Sequence, residues 1–120
     1  MKKRILVVED DPDISETLAL VLSEHYLVET AANGAEAAER LQTQSFDAIV
    51  LDLMMPVMGG ADLKRHLDRQ HIDVPVLLTS ASADLAERAA ELAILDFLAK
   101  PFDLPVFERR VAALLARSAA

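Results

Sequence analysis

Asp52 closes the apolar run Ala48-Ile49-Val50-Leu51 and is followed at once by Leu53-Met54-Met55-Pro56-Val57-Met58-Gly59-Gly60. An apolar run that ends in an acid reads as a buried parallel strand delivering a carboxylate to the carboxyl edge of a sheet, where open α/β folds place their chemistry. A second delivery occurs where Ile5-Leu6-Val7-Val8 runs into Glu9-Asp10-Asp11. Acids from two strands crowded at one edge repel, some are driven to hold protons at neutral pH, and a divalent cation removes the conflict. With oxygen donors alone, and no histidine or cysteine nearby, the ion is a hard one. A small open site that leaves several waters in place favours Mg²⁺ over a dedicated Ca²⁺ cage, and the spacing is not that of an EF-hand loop. Asp10 is the expected ligand, with Glu9 acting at longer range through water. Asp11, directly before Pro12, is expected to cap a helix instead.

Lys100 lies between Leu98-Ala99 and Pro101-Phe102, at the end of a fifth strand-like segment, and returns a cation to the edge that holds the acids. A lysine after a strand is by itself usually a surface charge. The proline that follows changes this, because an X-Pro bond can be cis and fix a tight turn that aims the preceding side chain. Phosphoryl groups are held by a point cation of this kind together with Mg²⁺. The fourth strand, Val76-Leu77-Leu78, ends in Thr79-Ser80-Ala81-Ser82. A hydroxyl there can donate to a phosphoryl oxygen, although turn and cap roles explain serines in such places about as often. Convergence favours chemistry, since strands one, three, four and five each end in a group suited to Mg²⁺ or phosphate.

The elements that must position these groups alternate strand with amphipathic helix five times, the pattern of a parallel sheet covered on both faces. Strands are predicted near 4 to 8, 26 to 30, 47 to 51, 75 to 79 and 95 to 98. The first helix is the best signalled, with Asp11 as cap, Pro12 at its first position, Asp13 complementing the dipole, and Ile14, Leu18, Val21 and Leu22 on one face. Asn33-Gly34 opens an alanine-rich second helix ending near Thr43. Gly59-Gly60 precede a third in which Leu63 and Leu67 stand one turn apart. The fourth uses Leu85, Ala89 and Leu92, and the last uses Leu104, Phe107, Val111, Leu114 and Leu115. These stripes read as core packing rather than as a cofactor box.

A length of 120 residues suits one domain with one real core. The formal charge of −8 argues against nonspecific contact with nucleic acid or an anionic membrane, so any DNA contact needs another module. Without cysteine there is no disulfide framework, thiolate nucleophile or zinc-thiolate site, which suits a reducing cytoplasm. Met1-Lys2-Lys3-Arg4 precedes only about four apolar residues, too few for a signal peptide. No apolar stretch approaches the roughly eighteen residues of a membrane span. The chain is expected to be soluble and cytoplasmic. His25, His66 and His71 join no constellation and are expected on the surface or in loops.

Val7-Val8-Glu9-Asp10, the segment Asp52 to Gly60, Pro75 to Ala81, and Lys100-Pro101-Phe102 form an ordered set. Through them the chain resembles the receiver domain of two-component response regulators over essentially its whole length, residues 1–120 as one domain. The resemblance implies a flavodoxin-like α/β fold: a five-stranded parallel sheet in the order 2-1-3-4-5 with five helices on its two faces. It implies that Asp52 is the phosphoacceptor, that Glu9 and Asp10 are the acidic pair for Mg²⁺, and that Met54 offers that ion its backbone carbonyl. Lys100 then pairs with the phosphoryl group. The switch hydroxyl falls on Ser80, five positions after Pro75, with Thr79 as runner-up, and Phe97 takes the aromatic switch position. Implied partners are a sensor histidine kinase or a histidine phosphotransfer protein, with phosphorylation-dependent pairing of two copies through the last helices. Such a chain is a signalling phosphoacceptor that catalyses only its own phosphorylation and dephosphorylation.

Three departures stand out. Gly59 occupies a position usually held by aspartate. The segment Leu92-Ala93-Ile94-Leu95-Asp96 lacks the glycine usual before the fifth strand. The Ser80 to Lys100 interval is slightly short, which predicts a trimmed or shifted fourth helix. Rival readings are a pseudo-receiver working as a phosphorylation-independent interaction module, an aspartyl phosphatase, and a flavin carrier of the same topology. The intact set Asp10, Asp52 and Lys100 argues against the first. The phosphatase lacks its second aspartate, because Met54 stands there, and the strand-helix turns lack a phosphate-cradling run of Ser, Thr and Gly.

Overall fold

The computed structural model describes residues 1–118. Five strands and five helices alternate: β1 (Arg4–Val8), α1 (Pro12–Ser23), β2 (Leu27–Ala31), α2 (Gly34–Thr43), β3 (Ala48–Asp52), α3 (Gly60–Arg69), β4 (Val76–Ser80), α4 (Leu85–Glu91), β5 (Asp96–Ala99) and α5 (Leu104–Ser118). The strands form one parallel sheet in the order β2-β1-β3-β4-β5. Each predicted strand is present, and those after the first start one residue later than periodicity suggested. A buried strand's edge is set by pairing register, which local composition does not encode.

Alternation along the strands divides the core in two. Leu6, Val8, Ile49, Leu51 and Leu78 meet α2, α3 and α4 through Ala37, Leu41, Leu63, Leu67, Leu85 and Ala89. Ile5, Val7, Val50 and Leu77 meet α1 and α5 through Leu18, Leu22, Phe107 and Val111. The central strands β1, β3 and β4 are therefore apolar on both sides, which is why their sequences read as continuous hydrophobic runs. On the edge strand β2, Glu29 accepts from Arg4 at 2.6 Å and from Arg40 at 2.8 Å, covering part of the open side with charge.

Helix starts follow their caps. Asp11 accepts from the amides of Asp13 at 2.9 Å and Ile14 at 3.4 Å, and Asn33 accepts from Glu36 at 2.9 Å. Gly59 begins α3 without a side-chain cap, the local result of lacking aspartate there. The fourth helix has only seven residues, in keeping with the short interval noted above. Of the histidines, His25 and His71 are exposed, but His66 departs from expectation. It lies on α3, half-buried, with Nε2 enclosed and without a hydrogen-bond partner.

Two features of the site's scaffold are steric. A Cβ on Gly60 would lie 2.6 Å from the carbonyl oxygen of Asp52, so α3 approaches the end of β3 only because residue 60 has no side chain. Ala93, where the usual glycine is missing, takes φ 57, a left-handed backbone that costs an L-residue about 1–2 kcal/mol. Ala93→Gly is therefore expected to stabilise the fold by about 1 kcal/mol in urea unfolding, after the flexibility glycine adds to the unfolded chain. Gly60→Ala is expected to destabilise it by about 2 kcal/mol or more, since the clash is with backbone.

Candidate functional site: an acidic pocket at the carboxyl edge of the sheet

The carboxyl ends of β1, β3, β4 and β5 meet at one edge. Glu9, one residue beyond β1, is tied to the sheet by its amide, which donates to the Ala31 carbonyl at 3.0 Å. Asp52 ends β3, and the register places it beside Thr79. Glu9 and Asp52 are buried, whereas Asp10 is exposed. One carboxylate oxygen from each of the three lies within 4.8 Å of the other two. Lys100 follows β5, its amide donating to the Ser80 carbonyl at 2.9 Å, and the Lys100–Pro101 bond is cis. Its Nζ donates to Glu9 Oε1 at 2.5 Å and stands 3.6 Å from Asp52 Oδ2.

The electrostatics follow from this crowding. Burial opposes ionisation of Asp52, and the hydrogen bond and negative charge of Glu9 add to it. Lys100 and the Met54 amide, donating at 3.3 Å, offset only part, so the carboxyl is pushed up to about 7. Burial opposes the charge on Glu9 too, yet hydrogen bonds shared with Lys100, Asp52 and the Asp11 amide prevail and hold it below its ordinary value. Burial alone would ease the proton off Lys100, but its bond to Glu9 and the charge of Asp52 outweigh that and raise its pKa. The lysine and Glu9 stay charged, and the strain of crowding falls on Asp52. An all-oxygen donor set with surplus negative charge and one exposed member fits a hard divalent ion, and no histidine enters the cluster.

The remaining predicted residues sort by face. Leu78 and Phe97 are register partners and belong to the α2–α3–α4 side, whereas Leu77 and Leu98 belong to the α1–α5 side. Alternation then puts Ser80 on Phe97's side and Thr79 on the other. Ser80 is buried, and its Oγ accepts from the Ser82 amide at 3.0 Å. Met54 exposes its side chain beside the pocket.

Comparison with known proteins agrees with the fold. A family profile described as "Response regulator receiver domain" matches residues 5–112. The chain belongs to that family. It is 41% identical over 121 residues to the response regulator MprA of Mycobacterium ulcerans, covering 98% of this chain and 52% of that protein. It therefore spans about half the length of the curated relatives it matches. Among solved structures, the Francisella response regulator 1452 receiver domain superposes with a TM-score of 0.89 at 31% identity, covering 97% of this chain and 98% of the other. A CheY-like receiver domain protein from Methanospirillum hungatei JF-1 reaches 0.90 at 21% identity, covering 99% and 98%, and shows the shared fold.

Two features of this receiver domain escaped sequence reasoning. An apolar groove of about 520 Å³ lined by Ile14, Leu18, Ala81, Pro101, Phe102 and Leu104 abuts Lys100. Several of its members read in sequence only as core stripes, and Phe102 is oriented by stacking on Phe107, ring centroids 5.3 Å apart. Ser82 and Asp84 are hydrogen-bonded to each other next to Ser80. The signal for that pair was their two-residue spacing after Ser80 and the position of Asp84 just before α4.

The ionised form of Asp52 is a cost to the fold that grows as pH rises from about 4, where an unfolded aspartate ionises, to about 7. In a chelator buffer Asp52→Asn is thus expected to be the more stable protein at pH 8, by about 1–3 kcal/mol, with the gap closing toward pH 4. Urea unfolding across that range measures it.

Proposed function

We propose that this receiver domain takes a phosphoryl group from a phosphohistidine onto Asp52, the donor being a sensor histidine kinase or histidine phosphotransfer protein. The observation that carries the reading is the Nζ of Lys100, 3.6 Å from the oxygen of a buried carboxylate at the bottom of an acidic pocket. Asp52 Oδ attacks phosphorus, the P–N bond breaks, and the imidazole nitrogen keeps the electron pair and takes a proton from solvent. The product is an acyl phosphate on Asp52, which water later hydrolyses. Because attack requires the ionised carboxylate, the ammonium of Lys100 helps twice, by opposing protonation of Asp52 and by balancing charge on the transferring oxygens.

Mg²⁺, when bound, supplies the additional positive charge that lets carboxylates and phosphoryl oxygens share so small a space. Asp10 and Asp52 are the direct ligands in this reading, with the Met54 carbonyl. Glu9, whose Oε1 is engaged by Lys100, acts from further out. The groove beside Lys100 offers an apolar seat for the donor's helix next to its histidine. Ser80 then turns to hydrogen-bond the phosphoryl group, and Phe97 on the same face takes up the space it leaves. The α4–β5–α5 face changes as a result, and it is there that phosphorylated copies pair. The acidic charge of this domain disfavours direct contact with nucleic acid, so any such contact would need another module. In this reading the chain works in the cytoplasm; no helix among the described residues is long and apolar enough to cross a membrane.

A pseudo-receiver would keep the fold and dispense with this chemistry, and the intact charge arrangement speaks against it. With acetyl phosphate as donor, mass spectrometry is expected to show one added phosphoryl group that requires Mg²⁺ and is absent from Asp52→Asn. Lys100→Ala is expected to slow loading about 10²-fold. Unchanged Mg²⁺-dependent loading of Asp52→Asn would overturn the assignment. Transfer from a panel of labelled histidine kinases then identifies the donor.

A further inference from the structure

Asp11, Asn33 and Asp84 each stand directly before a helix and are able to cap it with a side-chain oxygen, but Asp84 does not. Asp11 and Asn33 hold extended backbones, ψ 112 and 174, and their side chains accept from the first-turn amides of α1 and α2. Asp84 stands at the same position of α4, yet it has φ −98 and ψ 21, and no side-chain oxygen caps that helix. Its carboxylate is turned to Ser82 instead, whose Oγ donates to Asp84 Oδ1. Ser82 is in turn attached to the switch position, since its amide donates to Ser80 Oγ at 3.0 Å. The Ser82 carbonyl also accepts from the Leu85 amide at 3.3 Å, so one residue braces the whole entry to α4.

The geometry points to a cap exchange that links Ser80 to α4. In the conformation described here Ser82 withholds Asp84 from the helix. When Ser80 turns toward a phosphoryl group it releases the Ser82 amide, the β4–α4 loop rearranges, and the Asp84 carboxylate moves to the amides of Ala86 and Glu87. A helix of seven residues gains most from such a cap, because so few of its amides have partners within the helix. Ser82 and Asp84 are thus positioning residues, and the face read by partners is altered through the start of α4 rather than by repacking at Phe97 alone. The link from Ser80 to phosphate rests on the function proposed above, but competition between Ser82 and α4 for Asp84 does not.

Amide hydrogen exchange of the full chain, read by NMR at Ala86 and Glu87, tests this with and without Mg²⁺ and beryllofluoride as the phosphoryl mimic. Ser82→Ala is expected to slow exchange at both amides about five-fold without beryllofluoride, the effect of one side-chain cap. Ser82→Thr, which keeps the hydroxyl, is expected to match the unsubstituted protein, and Ser82→Ala combined with Asp84→Ala is expected to lose the gain. Beryllofluoride is expected to slow the same amides in the unsubstituted protein and not in Asp84→Ala. The exchange is overturned if Ser82→Ala leaves both amides unchanged, or if Asp84→Ala speeds them before any beryllofluoride is added. Failure of beryllofluoride to bind counts against the phosphoacceptor reading instead, and the comparison of Ser82→Ala with Ser82→Thr still decides the exchange.

Discussion

Everything at this sheet edge depends on placing three carboxylates within 4.8 Å of one another and answering them with one ammonium. Desolvation makes such a cluster expensive, and repulsion among its members makes it more so. Lys100 does not divide its charge evenly: it donates directly to Glu9 and stands further from Asp52. Glu9 is thereby held ionised, and Asp52 is the member least at ease with its charge. A buried carboxylate under that pressure gains whenever a proton or added positive charge relieves it.

The scaffold holds this arrangement through backbone contacts more than side-chain ones. The amide of Leu53 donates to the Thr79 carbonyl at 2.9 Å, and that of Gly60 to the Leu53 carbonyl at 3.0 Å, so the chain leaving β3 is pinned to β4 and to the start of α3. The amide of Gly34 reaches the Met58 carbonyl at 2.9 Å and ties the start of α2 to the same loop. Lys100 is set in place by its amide on the Ser80 carbonyl. A displacement of Ser80 is consequently felt by the lysine, by the β4–α4 loop and by the neighbouring β5. Close packing makes such linked groups change together between discrete arrangements rather than bend by degrees.

Two strongly exposed apolar residues stand near this edge and at the start of β5. Val57, a β-branched residue, takes φ 67 with its side chain in solvent, and Leu95 is nearly fully exposed. Neither contributes to the core, and a left-handed backbone at valine is costly. Val57 stands two residues before Gly59 and Leu95 lies within Leu92 to Asp96, the places where the chain departs from the pattern it otherwise follows.

Sequence alone determined the number and kind of elements, because apolar alternation, helical stripes and the caps at Asp11 and Asn33 act over a few residues. It also brought Asp52, Asp10, Glu9 and Lys100 forward as a group, since each follows an apolar run that can only be a strand. What it left open depended on three-dimensional register. Thr79 and Ser80 are adjacent hydroxyls that the family resemblance ranks by spacing from Pro75, and only the pairing of Leu78 with Phe97 shows which shares the aromatic residue's face. The half-buried setting of His66, the diversion of Asp84 from its helix and the groove beside Lys100 were likewise decided by neighbours distant in the chain or by loop geometry. Local pattern specifies what a segment becomes. Which charges meet, and which hydroxyl faces which ring, is settled only when the strands pair and the helices close over them.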